Sequence, residues 1–249
     1  GKFVGFVDSD DWIANDMYEY LYNLISKNEA DVSDIACIYA YKYPCNIKDE
    51  EEKINIYNDD SILEKYLYRG MHEQKSAPFS VCRKLYIRKL FDDISFPEGK
   101  INEDICTNFK ILSKCNRIVI SNQIKYFYYQ NIQSITVGEL KQKDLALLDV
   151  CTEMSNLANK TRNKTIISLA NMKLARSDFS LLARIAMYGC GSDIQNSQEL
   201  ITILTKRLRK NISLLLKSPM PVNRKILSLA LCVNINILRV PVRLIKSLK

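Results

Sequence analysis

Gly1-Lys2-Phe3-Val4-Gly5-Phe6-Val7-Asp8-Ser9-Asp10-Asp11-Trp12 is the stretch on which the reading of this chain turns. Phe3 to Val7 is short, apolar and rich in β-formers, which predicts a buried strand. The run stops abruptly at three carboxylates in four residues. Like charges a few ångströms apart raise one another's pKa, and a bound divalent cation removes that cost. Hard cations such as Mg²⁺ take one or two carboxylates together with phosphate oxygens. The carboxyl end of a strand is also where α/β sheets bind ligands. The acids therefore suggest a metal–diphosphate site. A solvated acidic turn capping the next helix is the plainer reading of the same residues.

Outward from this point, strands and helices alternate. Asn15 is placed to cap a helix running to about Asn28, with Met17, Tyr18, Leu21, Leu24 and Ile25 on one face. Val32 to Tyr43 predicts a second strand, and the polar, acidic residues 46–60 a surface loop. Ser61 to Arg69 predicts a helix, Phe79 to Cys82 a short strand and Lys84 to Phe91 a short helix. Phe96-Pro97-Glu98-Gly99 is a turn, because proline fixes φ and glycine tolerates positive φ. Asn102 then caps a helix to about Cys115, followed by strand-like Arg117–Ile120 and Ile124–Tyr129. This alternation implies an α/β fold. From about Gly138 onward the apolar spacing becomes helical, as in Leu200, Ile201, Leu204, Leu208 and Ile212. The expected division is an α/β part, 1–138, and a basic helical part, 139–249.

Charge divides in the same way. Residues 1–136 carry 17 Lys and Arg against 21 Asp and Glu, a net −4; residues 137–249 carry 19 against 7, a net +12. The acidic front half argues against nucleic acid as a partner, whereas the basic remainder suggests an anionic membrane surface. Residues 219–249 are the expected membrane-contacting segment. Their longest apolar run, Ile226 to Leu238, is too short to span a bilayer of about 30 Å. The eight cysteines form no C-x-x-C pair and the chain has a single histidine, His72. A zinc site is therefore not expected, and the thiols fit a reduced, cytoplasmic protein. The chain opens inside a strand-like run with no initiator methionine and no signal peptide, as expected for part of a longer reading frame.

The opening dodecapeptide resembles the central motif of family 2 glycosyltransferases, G-x-Y-I-x-F-V-D-S-D-D-W. Further matches follow in order: Met17 to Tyr22, Ala30-Asp31-Val32, Lys84-Leu85-Tyr86, Leu90-Phe91, Phe96 to Gly99, Glu103-Asp104-Ile105, and Tyr126 to Tyr129 before Ser134-Ile135-Thr136. The resemblance covers roughly residues 1–136. It implies a truncated GT-A-type, Rossmann-like sheet that starts at the Asp-x-Asp strand and lacks the nucleotide-binding strands before it. It further implies that Asp8 and Asp10 hold Mn²⁺ or Mg²⁺ against the diphosphate of a nucleotide sugar, with Asp11 and Trp12 also at the donor, a UDP-sugar being one candidate. Asp104 becomes the general base on the acceptor hydroxyl, with Glu103 beside it. The implied reaction is inverting transfer to a saccharide or lipid-linked acceptor in cell-surface polysaccharide synthesis, on the inner face of the membrane. Where the family often carries two arginines before Ser-Ile-Thr, this chain has Tyr129 and Asn131.

Two other classes compete. Haloacid-dehalogenase-like phosphatases also place Asp-x-Asp after a strand, but they want Thr or Val where this chain has Trp12, together with a later acid pair that is missing. A truncated, inactive domain that only binds partners would keep the fold and discard the chemistry.

Overall fold

The structure is a computed structural model that describes residues 1–42, 50–72, 78–99, 101–130 and 138–239. The expectations for Tyr43, Asn131, Ser134-Ile135-Thr136, Pro241, Arg243 and Lys246 fall outside those residues. The chain forms two compact units. One comprises Gly1–Pro97 with Glu103–Ser134, the other Glu98–Asn102 with Ile135–Lys249.

The first unit is built on a six-stranded mixed sheet: β1 (Phe3–Gly5), β2 (Trp12–Ile13), β3 (Val32–Ala40), β4 (Ile54–Asn58), β5 (Lys84–Ile87) and β6 (Arg117–Tyr129). The spatial order is β1-β5-β3-β6-β2, with β4 also pairing β6. β3 and β6 run parallel and the other pairs antiparallel. Helix α1 (Met17–Asn28) presents Met17, Leu21, Leu24 and Ile25 to one face of the sheet, where they pack with Ile35, Cys37, Leu85, Val119 and Tyr126. Asp31 fixes the start of this arrangement: its carboxylate accepts from the amides of Asn116 (2.7 Å) and Arg117 (3.2 Å) and so aligns β3 with β6. The other helices of this unit are α2 (Asp60–His72) and α3 (Glu103–Leu112).

Several expectations are corrected here. Lys84–Ile87 is a strand, followed by a 3₁₀ turn at Arg88–Phe91, because β1 and β3 pair with its two edges and Tyr86 and Ile87 suit a strand. Phe79 to Cys82 forms turns and bends rather than a strand. Residues 54–58, expected as loop, form β4; Ile54 and Ile56 are exposed on it, so no inward apolar face marks it in the sequence. β6 is one continuous strand of 13 residues, with the register adjustments falling opposite Asp34 to Cys37 of β3. β1 ends at Gly5 and is half-buried rather than buried, as an edge strand is. A Cβ at Gly5 would overlap the Tyr18 ring, so any larger residue there would have to displace that ring. Asp16, not Asn15, precedes α1; its carboxylate goes to Lys125 Nζ at 2.6 Å and caps nothing.

The second unit contains α4 (Ala146–Lys160), α5 (Lys164–Tyr188), α6 (Ser197–Lys217) and α7 (Val222–Val233). Asn163 caps α5 by accepting from the Thr165 and Ile166 amides, and Asn196 caps α6 through the Glu199 amide. α5 packs on α4 and α6, and α6 on α7. Ile201, Leu204 and Leu208 are buried, as the helical spacing requires. Arg207 crosses from α6 to the buried Asp178 of α5 at 2.9 Å. Among the described cysteines all are free thiols, five of them buried.

Candidate active site

β1 feeds a tight turn in which the Asp11 amide donates to the Asp8 carbonyl at 3.1 Å. β2 then re-enters the sheet against Tyr126 and Phe127 of β6. Asp8, Ser9 and Asp10 stay exposed on this turn, whereas Asp11 is half-buried. Both carboxylate oxygens of Asp11 are engaged within the protein. One accepts from the Tyr126 hydroxyl at 2.6 Å and the other from the Tyr129 amide at 2.8 Å. The same Tyr126 hydroxyl accepts from the Asp8 amide at 3.2 Å. Burial, ahead of these hydrogen bonds and of the neighbouring Asp8 and Asp10 charges, holds the Asp11 carboxyl above the usual range. Trp12 stacks nearly parallel on Phe127, with ring centroids 5.9 Å apart and 10° between planes, and leans on Tyr129. Asp11 and Trp12 thus anchor the turn, and Asp8 and Asp10 keep their carboxylates exposed on it.

Glu103 and Asp104 open α3, where the helix dipole favours negative charge. The Asp104 carboxyl is nonetheless pushed up to about 7, first by burial and then by the Glu103 and Asp8 charges, with Lys84 pulling the other way. The charges of Lys84 and Asp8 thus reach Asp104, although the three residues are far apart in sequence. A carboxyl that releases its proton near neutral pH is suited to accept one from a hydroxyl.

The same unit holds a buried charge cluster on β3, β5 and α2 that sequence reasoning did not find. Asp34 of β3 pairs across the strand with Lys84. Its carboxylate lies 2.7 Å from Arg69, 3.4 Å from Arg83 and 3.9 Å from Lys84. Asp34, Arg83 and Lys84 are each about 1% exposed. The three cations overcome the cost of burial and hold Asp34 below the usual carboxylate range. Burial brings Lys84 down to about 7 despite Asp34, while its ammonium donates to the Ser80 carbonyl at 2.5 Å. Lys84 was legible only as part of a Lys-Leu-Tyr match, and Tyr126 only as one of several aromatic residues in a strand. Glu103 is half-buried beside Asp104. His72 is exposed at the end of α2 and stacks on Tyr68.

The donor set fits a hard divalent cation. Asp8 and Asp10 offer two exposed carboxylates one residue apart. Among the described residues no group of three or more His, Cys, Asp or Glu is placed to hold a metal. A cation here would therefore draw the rest of its oxygen shell from a bound phosphate ligand and water.

The architecture, an α/β sheet followed by a helical region, is that of a glycosyltransferase-type fold. It matches the crystal structure of S. aureus TarS 1–349 in complex with UDP-GlcNAc, with a TM-score of 0.50 and 17% identity over 98% of this chain and 68% of that one. In sequence the chain is 26% identical over 218 residues to the glycosyltransferase GlyA of Streptococcus pneumoniae serotype 4, a match covering 83% of this chain and 31% of GlyA. It is 27% identical over 147 residues to the glycosyltransferase GlyG of the same organism, covering 54% of this chain and 46% of GlyG. The chain thus spans between about a third and a half of the length of these curated relatives. No protein-family model matches it. By sequence and fold the chain resembles glycosyltransferases.

Proposed function

We propose that this chain carries the metal-binding and general-base part of a family 2 (GT-A-type) glycosyltransferase. The enzyme would transfer a sugar from a nucleotide-diphosphate donor, a UDP-sugar by analogy with the ligand of TarS, to a saccharide or lipid-linked acceptor in cell-surface polysaccharide synthesis. The observation that carries this reading is the exposed Asp8-Ser9-Asp10 turn, held to β6 by Tyr126 and Tyr129, in the same α/β unit as the raised carboxyl of Asp104. The relatives that are named glycosyltransferases support it.

In this reading Asp8 and Asp10 hold Mn²⁺ or Mg²⁺, which when bound stabilises negative charge on the leaving diphosphate. Asp11 and Trp12 keep the turn in place through Tyr126, Tyr129 and Phe127. Asp104 takes the proton of the acceptor hydroxyl as its oxygen attacks the anomeric carbon, giving inversion by a single displacement through an oxocarbenium-like transition state. Glu103 raises the proton affinity of Asp104. No helix among the described residues is long and apolar enough to cross a membrane. The basic helical region favours a peripheral position on the cytoplasmic face of an anionic membrane, where a lipid-linked acceptor would be presented.

Transfer by the intact protein tests the reading. Asp8→Ala and Asp10→Ala should each abolish metal-dependent transfer with the fold retained. Asp104→Asn should lower kcat at least about a hundredfold with donor binding largely kept. Full activity in both metal-site variants, or a mild Asp104→Asn beside a crippling Glu103→Gln, would overturn the assignment of roles.

A further inference from the structure

A helix packed on a protein core normally turns its apolar stripe inward. α7 does the reverse with part of its apolar surface. Ser228 and Leu231 are fully buried, while Val222, Ile226, Leu229 and Val233 are 70%, 61%, 44% and 69% exposed. Their spacing of four, three and four residues places the exposed four on one helix face. At 1.5 Å per residue this stripe is about 16 Å long. Ile237, beyond the helix, is also exposed.

The charge around the stripe has one sign. Glu199 is the last acid of the chain, and residues 200–249 contain 11 Lys and Arg. Lys206, Arg209, Lys210 and Lys217 are exposed on α6, the helix on which α7 packs, and Lys225 lies beside the stripe. Arg209 reaches across to donate to the Cys232 and Val233 carbonyls at 2.5 and 3.2 Å. It thereby holds a cation next to the exposed Val233 and satisfies the end of α7. An apolar face on an acid-free helix, beside the exposed cations of α6, fits a surface that offers hydrocarbon and negative charge together. An anionic bilayer does so: apolar side chains enter the acyl boundary while lysines and arginines stay at the phosphates.

We propose that α7 is a membrane-docking helix that lies in the plane of an anionic bilayer with Val222, Ile226, Leu229 and Val233 inserted. This rests on the peripheral placement given above and assigns it to one helix face. The test is co-sedimentation of the intact protein with vesicles of phosphatidylglycerol and phosphatidylcholine, or of phosphatidylcholine alone. The protein should bind the anionic vesicles, less so in high salt. Ile226→Asp with Val233→Asp, at exposed positions where circular dichroism checks the fold, should lower the bound fraction at least about tenfold. Lys210→Glu with Lys217→Glu should weaken binding to the anionic vesicles. Equal binding to both vesicles, unchanged binding by the aspartate variant, or no binding overturns the proposal. So does a fall in sedimentation mass of that variant without lipid, which would make the stripe a self-association face. Donor hydrolysis in lipid-free solution, measured in parallel, separates failure of docking from failure of the transfer reading.

Discussion

The Tyr126 hydroxyl donates to the Asp11 carboxylate at 2.6 Å across 115 positions of sequence, and the same oxygen accepts from the Asp8 amide. One buried side chain of β6 thereby sets the shape of the turn that carries Asp8 and Asp10. The turn is short and otherwise exposed, so its geometry depends on this clamp more than on its own residues.

Tyr126→Phe removes a donor from Asp11 and an acceptor from the Asp8 amide while keeping the ring in the core. Stability should fall by about 1–2 kcal/mol, the usual net worth of two lost hydrogen bonds. Mn²⁺ affinity should fall and the donor KM should rise, with kcat less affected. Urea unfolding and an Mn²⁺ titration read the two effects. A stability loss with unchanged Mn²⁺ affinity and KM would confine Tyr126 to the core.

Asp34→Asn takes the carboxylate that lies against Arg69, Arg83 and Lys84 out of a buried cluster. Removing one partner of a buried ion pair leaves uncompensated charge, and the expected cost is about 3–5 kcal/mol. Chemical denaturation at neutral pH measures it. A loss below about 1 kcal/mol, the size of an exposed pair, would mean that the cluster is solvated in a way its burial does not indicate.

Asp178 gives a pH dependence of stability. Its carboxyl is raised from 3.8 to about 6, by burial first, with Arg207 pulling the other way. The folded chain therefore holds this proton more tightly than the unfolded chain. The resulting stabilisation is complete below about pH 4 and is lost as pH rises through about 6. Relative to wild type, Asp178→Asn should gain stability from about pH 4 to 6.5 and then level off. Denaturation curves that stay parallel across this range would refute the shift.

Much of this protein was written in short-range pattern. The apolar run before Asp8-Ser9-Asp10-Asp11 marks a strand that ends ahead of the acids, because carboxylates solvate and strands bury. The spacing of Leu204 and Leu208 makes a helix wherever it is placed, and the acid-free stretch after Glu199 is a property of composition. Tertiary structure decided the rest. Lys84–Ile87 is a strand because β1 and β3 supply partners for its backbone on both edges, which no local propensity encodes. Residues 54–58 pair with β6 while their isoleucines face solvent, so the alternation that marks a half-buried strand carries no inward face there. Asp34, Arg83 and Lys84 meet because β3 and β5 pair in one register, and the Asp8 charge reaches Asp104 only through the fold. The outward stripe of α7 likewise depends on which of its faces α6 covers. Sequence fixes periodicity and charge through local sterics and solvation, whereas contacts between distant residues, and the proton affinities they set, exist only once burial has chosen the partners.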